Sequence, residues 1–259
     1  MKRRHLAFTC ERAELLGTLD DVACTTGLLI VSGGNELRSG AWGGQAQLAA
    51  RIADAGFPVF RFDRRGVGDS AGKNAGFRGS ELDISAALAA FRLAAPQVTR
   101  IIAFGNCDAA TALLLGAPNF DLAGLVLANP WTIDGDEAPE AMPAAVVRSR
   151  YLSKLTNPRE VWRLLSGGVD LRKLAGGLRS AATVAVPKSP LVETMLARCN
   201  AVVVPLQILL ANRDRTAQMF VEAWPKGDDR VFTIDSGSHS FSDDAAREWL
   251  FERLLAALG

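Results

Sequence analysis

Histidine and cysteine are scarce in this sequence, and their spacing excludes most metal chemistry. Two histidines, His5 and His239, and four cysteines, Cys10, Cys24, Cys107 and Cys199, are spread over 259 residues. There is no H-E-x-x-H, no C-x-x-C and no His/Cys cluster, so neither a protein-built zinc site nor a disulfide framework is expected. Unpaired, scattered cysteines read as reduced thiols in a cytoplasmic protein. No G-x-G-x-x-G follows a predicted strand and no G-x-x-x-x-G-K-S/T occurs, so neither a dinucleotide nor a P-loop nucleotide is expected and no cofactor is called for. An excess of one charge is also missing. Lys and Arg total 29 against 28 Asp and Glu, and the basic residues are scattered, which argues against nucleic acid as a partner. No apolar run approaches the roughly 20 residues that span a bilayer. The opening "MKRRHLAFTCERAELLG" is basic, but its apolar stretch soon meets Glu11 and Arg12, which makes a poor signal peptide.

What is present is apolar sequence in short, regularly spaced runs. At 49% apolar, the chain can bury the core of one large α/β domain, or of a domain with an inserted cap. Segments 4–9 and 13–19 read as a strand hairpin. "GLLIVSGG" (27–34) is a continuous apolar run ending in glycines, as in a strand buried on both faces. A helical "GGQAQLAARIADAG", a strand "FPVFRFD" and a glycine-rich loop "RRGVGDSAGKNAGFRG" follow. The next helix starts at "SELDIS", where Ser80 is expected to cap it. Strand "RIIAFGN", helix "DAATALLLGA" and strand "LAGLVLANP" complete a βαβαβαβ alternation. This implies a mostly parallel central sheet flanked by helices. Residues 131–200 then carry helical segments without a clear strand. That is too long for an ordinary crossover, so a helical cap at 131–200 is expected over a core of 1–130 and 201–259. The alternation resumes with "VPLQILLANRD", a helix near 215–224, "DRVFTIDSG" and a last helix "DDAAREWLFERLLAAL".

In an open parallel sheet, functional groups collect at the carboxyl ends of strands. Four such ends here carry notable residues: "VSGGNE", "FGNCDA", "LLANRD" and "DSGSHS". Their chain order is glycine loop, nucleophile candidate, acid candidate, histidine, the order of a hydrolase triad. Cys107 stands in Gly105-Asn106-Cys107-Asp108-Ala109, a variant of G-x-S-x-G with small residues at both ends and a thiol at the centre. A cysteine at a strand end is more often a buried small hydrophobe, and only the other candidates in order raise this one above that reading. His239, one loop before the final helix, is the candidate base, while His5 precedes the core strands. Asp214 is the candidate orienting acid, with Asp235 its rival and Arg213 and Arg215 as competitors for its carboxylate. The oxyanion hole is expected from the backbone N–H of Asp108 and of Gly34 or Asn35, between which the sequence does not choose. "FDRRGVGDS" reads as tight loop geometry beside the site, without a catalytic role for Asp63. Trp131, Tyr151, Trp162 and Met195 would pack the cap or line an acyl pocket, packing being the default.

Together, "FDRRGVGDSAG", the G-x-C-D-A-A elbow, "LLANRD" and "GSHSF" resemble the α/β-hydrolase superfamily. More narrowly, they are similar to the first type of hydrolase associated with the exosortase A system, a group found with bacterial exopolysaccharide and protein-sorting loci. That group typically carries Cys at the elbow. The similarity covers nearly the whole chain, best over 27–130 and 203–258. It implies the α/β-hydrolase fold but supplies no known substrate; a small-molecule acyl substrate is the expected partner, and a homodimer is left open. The expected activity is cysteine-nucleophile hydrolysis of acyl esters, thioesters or lactones. An acyltransferase using the same Cys-His-Asp site, or a non-catalytic binding protein on the same fold, are the alternatives.

Overall fold

The computed structural model describes residues 1–134 and 189–259, and elements are numbered within them. The predicted hairpin forms β1 (Lys2–Cys10) and β2 (Ala13–Asp21). The parallel strands are β3 (Thr26–Val31), β4 (Val59–Phe62), β5 (Arg100–Asn106), β6 (Gly124–Ala128), β7 (Leu206–Ala211) and β8 (Val231–Ile234). All eight form one sheet in the order β1-β2-β4-β3-β5-β6-β7-β8, with β1 and β2 antiparallel at one edge. Strands β3 and β6 are buried along their whole length, which is why they read as unbroken apolar runs.

The helices are α1 (Gly44–Asp54), α2 (Glu81–Ala94), α3 (Asp108–Gly116), α4 (Pro190–Ala201), α5 (Arg215–Ala223) and α6 (Asp244–Leu258). The two-residue period of each strand divides the core between the sheet's faces. In β5, Ile101 and Ala103 face a cluster completed by α2, α3, α4 and α5, while Ile102 and Phe104 face one completed by α1 and α6. Each fully buried Leu or Ile in these clusters contributes about 1.5–3 kcal/mol.

Two local features refine the reading of the sequence. Ser80 occupies the N-cap of α2 but does not cap it: its Oγ donates to the Gly76 carbonyl and accepts from the Arg64 guanidinium, each at 2.8 Å. Of the segment 131–200, most lies outside the described residues, Tyr151 and Trp162 included. Its end forms α4, capped by Ser189 and started by Pro190, and Leu191, Met195 and Cys199 of that helix join the core cluster with α3. Met195 is therefore a packing residue.

The strand order turns at β3. The chain moves outward from β3 to β4, then returns to β5 on the other side of β3. Residues following β3 and β5 thus emerge side by side at the switch point of the sheet, where such folds place their sites.

Candidate active site

The turn from β5 into α3 is sharp because Cys107 adopts φ 60°, ψ −126°. A non-glycine residue there carries about 1–3 kcal/mol of strain, held by the surrounding structure. The Cys107 N–H donates to the Ala128 carbonyl at 2.9 Å, and its carbonyl accepts from Trp131 N–H at 3.3 Å. Two glycines make the turn geometrically feasible. A Cβ on Gly105 would sit 2.8 Å from the Ala109 backbone, and one on Gly33 would sit 2.7 Å from the Asn106 carbonyl oxygen.

His239 and Asp214 meet at this turn. The His239 Nδ1 lies 3.0 Å from Asp214 Oδ2, and the ring is near enough to the Cys107 thiol for the two to interact. Nδ1 being engaged by Asp214, Nε2 is the nitrogen left for the thiol. The hydrogen bond to Asp214, then the interaction with Cys107, raise the His239 pKa from 6.5 to about 10 against the opposing effect of burial. Asp214 is 8% exposed and also caps α5, its Oδ2 accepting the Ala217 N–H at 3.1 Å. The rival Asp235 is exposed and ion-paired with Arg213 at 3.0 Å, so Arg213 does not compete for Asp214. Arg215 is exposed. His5 sits in the edge hairpin, 3.1 Å from the Thr18 hydroxyl.

The loop carrying His239 is pinned by its own serines. Ser236 Oγ accepts the Ser238 N–H at 3.0 Å and donates to Asp243, the N-cap of α6. With the Ala246 N–H, that hydroxyl holds the Asp243 carboxyl below its usual range.

The oxyanion candidates are braced as well. Gly34 N–H donates to Asp108 Oδ1 at 2.6 Å, and Asn74 Nδ2 donates to the Asn35 side-chain oxygen at 2.7 Å. Arg64 is buried. It donates to the Gly34 carbonyl and, at 3.3 Å, to Asp108 Oδ2. Asp63, also buried, accepts from the backbone and guanidinium of Arg38. The "FDRRG" motif thus holds residues 34–38 against the Cys107 turn, with Ser70 Oγ donating to the Asp63 carbonyl at 2.8 Å.

Four contributors were not singled out by the sequence reading: the Asn106 and Asn129 side chains, Arg64, and the Asp108 carboxylate as distinct from its N–H. A usable signal existed for Asn129, a polar residue closing the buried run "LVLAN" at a strand's carboxyl end. A cavity of about 370 Å³ lies beside the site between α1 and α6. Trp42, Phe104 and Phe241 line it, and it reaches Asn106 and Ser240 without including Cys107 or His239. Among the described residues no group of three His, Cys, Asp or Glu is arranged to hold a metal.

Comparison with known proteins agrees with this architecture. No curated protein matches the chain. Solved structures similar to it include the Pyrococcus furiosus esterase Pf2001, with TM-score 0.61 and 17% identity over 100% of this chain and 94% of that one. The alpha/beta hydrolase GrgF from Penicillium sp. sh18 gives 0.64 and 15%, over 100% and 98%. The proline iminopeptidase-related protein TTHA1809 from Thermus thermophilus gives 0.57 and 19%, over 100% and 99%. At these identities the likeness is one of fold. A family model described as the alpha/beta hydrolase family matches residues 28–253, and the chain belongs to that family.

Proposed function

We propose that this alpha/beta hydrolase uses Cys107 as its nucleophile and hydrolyses acyl esters, thioesters or lactones. The observation that carries the reading is one imidazole, His239, hydrogen-bonded to Asp214 and brought to the strained elbow residue Cys107, whose neighbour Asn106 holds the His239 carbonyl. The raised His239 pKa supports an imidazole that takes the Cys107 proton as the sulfur attacks and then holds it as a charged acid.

In the proposed reaction, the Cys107 sulfur attacks the substrate carbonyl carbon and its π electrons move to oxygen. The Asp108 backbone N–H and a donor of the 34–35 loop stabilise that oxyanion. Collapse breaks the bond to the leaving alcohol or thiol, which takes its proton from His239 Nε2. Water then attacks the thioester, His239 accepts its proton, and the acid leaves as the thiol is regenerated. Asp214 keeps the imidazole in one orientation and tautomer throughout.

The motif similarity to the exosortase A-associated group supports an acyl substrate connected with exopolysaccharide loci. The four free thiols support a reducing, cytoplasmic setting. The test is a parallel screen of acyl esters, thioesters and lactones with the native protein and Cys107→Ala. Turnover that disappears in the variant is expected, and turnover that survives it intact overturns the assignment.

A further inference from the structure

Asn129 is a polar side chain with no exposed surface, at the carboxyl end of β6, with φ 40°. Every polar atom of its amide is used. Its Oδ1 accepts the Ala211 N–H at 3.0 Å, and its Nδ2 donates to the His239 carbonyl at 3.0 Å and to Asn106 Oδ1 at 3.3 Å. Asn106 in turn donates its own Nδ2 to the same His239 carbonyl at 3.1 Å.

These contacts close a ring through the site. Ala211 is the last residue of β7, and its carbonyl accepts the Asp214 N–H at 2.8 Å. Asp214 holds the His239 ring, and the His239 backbone returns to Asn129. Asn106 joins the ring to the nucleophile, because it is the residue before Cys107. One buried amide therefore touches the strand end bearing the acid, the backbone of the base and the neighbour of the thiol.

We infer that Asn129, together with Asn106, forms a positioning pair that fixes His239 between Asp214 and Cys107. The inference rests on the Cys-His-Asp reading above. Neither asparagine reaches the reacting atoms, so both act through the placement of the imidazole. Position 129 demands a donor and an acceptor in one side chain. Aspartate would keep the acceptor for Ala211 but set an oxygen against the His239 carbonyl. Leucine would leave the Ala211 N–H without its partner in a buried site and take one of two donors from the His239 carbonyl.

The decisive variants are Asn129→Asp and Asn106→Ala, measured beside the native protein and Cys107→Ala. For a folded Asn129→Asp, kcat on an activated ester should fall by about 10²-fold with KM nearly unchanged, the scale of a catalytic group displaced by about an ångström. Asn106→Ala removes one of two donors and should lower kcat by about fivefold, the worth of one ordinary hydrogen bond. Because the chain holds only His5 and His239, the His239 imidazole resonances can be assigned, and they should move in both variants while those of His5 stay. The alkylation rate of Cys107 should change with them.

Native kcat, native His239 resonances and native alkylation in a folded Asn129→Asp would overturn the pair. Should Asn129→Asp fail to fold, the same three measurements on Asn106→Ala decide, with native values again overturning it. A Cys107→Ala variant that keeps its activity condemns the nucleophile instead. The resonances and alkylation rates need no turnover, so they still decide whether the pair places the imidazole.

Discussion

One carboxylate oxygen, Asp214 Oδ2, serves two partners: it accepts the Ala217 N–H that opens α5 and lies 3.0 Å from His239 Nδ1. The helix cap and the imidazole contact are thus the same atom, which makes the acid separable from the fold by a careful choice of substitution. Asparagine caps helices about as well as aspartate. Asp214→Asn should therefore keep the α5 cap and the fold while losing turnover, by up to roughly 10⁴-fold on the serine-protease precedent and by less if the thiol needs little help to ionise. Asp235→Asn, which only releases an exposed pair with Arg213, should leave the turnover number within a small factor of native. Kinetics of both variants on one activated ester check the assignment, and a crippled Asp235→Asn beside a normal Asp214→Asn would reverse it.

The four thiols should separate by reactivity. Burial pushes Cys10 and Cys199 up to about 11, helped at Cys10 by its hydrogen bond to Asp83, and both are almost fully enclosed. Cys107 is half-exposed and lies beside His239. Brief alkylation near neutral pH followed by peptide mapping should label Cys107 first. Preferential labelling of Cys10, Cys24 or Cys199 would contradict the site geometry.

Stability should carry a signature of the raised imidazole. Its folded pKa of about 10 lies above the free value of 6.5, so the fold favours the imidazolium. That contribution is complete below the free value and is lost as pH rises through about 10. Asp214→Asn removes the largest cause. The stability gap between native protein and variant, read from urea unfolding at a series of pH values, should therefore be widest in mildly acidic to neutral solution and shrink toward pH 10. A gap that widens with pH would contradict the pairing.

Gly105→Ala tests the elbow without touching a reacting group. The new methyl would meet the Ala109 carbonyl carbon at 2.8 Å, a backbone contact that cannot rotate away. Overpacking of this kind costs about 1–3 kcal/mol. A melting temperature lower by several degrees and a marked loss of turnover are expected from calorimetry and kinetics on one preparation.

Most strands and helices were legible because each is a short apolar run ended by glycine, proline or polar residues, and such runs dictate burial directly. The chain order of the candidate residues was legible for a related reason: Cys107, Asp214 and His239 each follow a predicted strand. Choosing Asp214 over Asp235 depended on something less visible, namely which strand end faces the elbow across the sheet. Side-chain hydrogen bonding was the least legible layer. Ser80 looked like a cap, but the buried Arg64 took its hydroxyl. Asn106 stood only as the second residue of the elbow, although its side chain donates to the backbone of a histidine 133 residues away. Partners that distant leave no local pattern.

The 2.6 Å contact between Gly34 N–H and the Asp108 carboxylate bears on how a substrate would enter. An acyl group arriving at this donor meets an occupied seat and must exchange with an anion already tethered to Arg64. A neutral carbonyl oxygen is a poor competitor for that exchange, whereas the alkoxide-like oxygen of a tetrahedral intermediate matches the departing carboxylate charge for charge. The loop would then discriminate against the resting substrate and in favour of the activated one. Affinity forgone on arrival is the condition under which binding energy accelerates the step that follows.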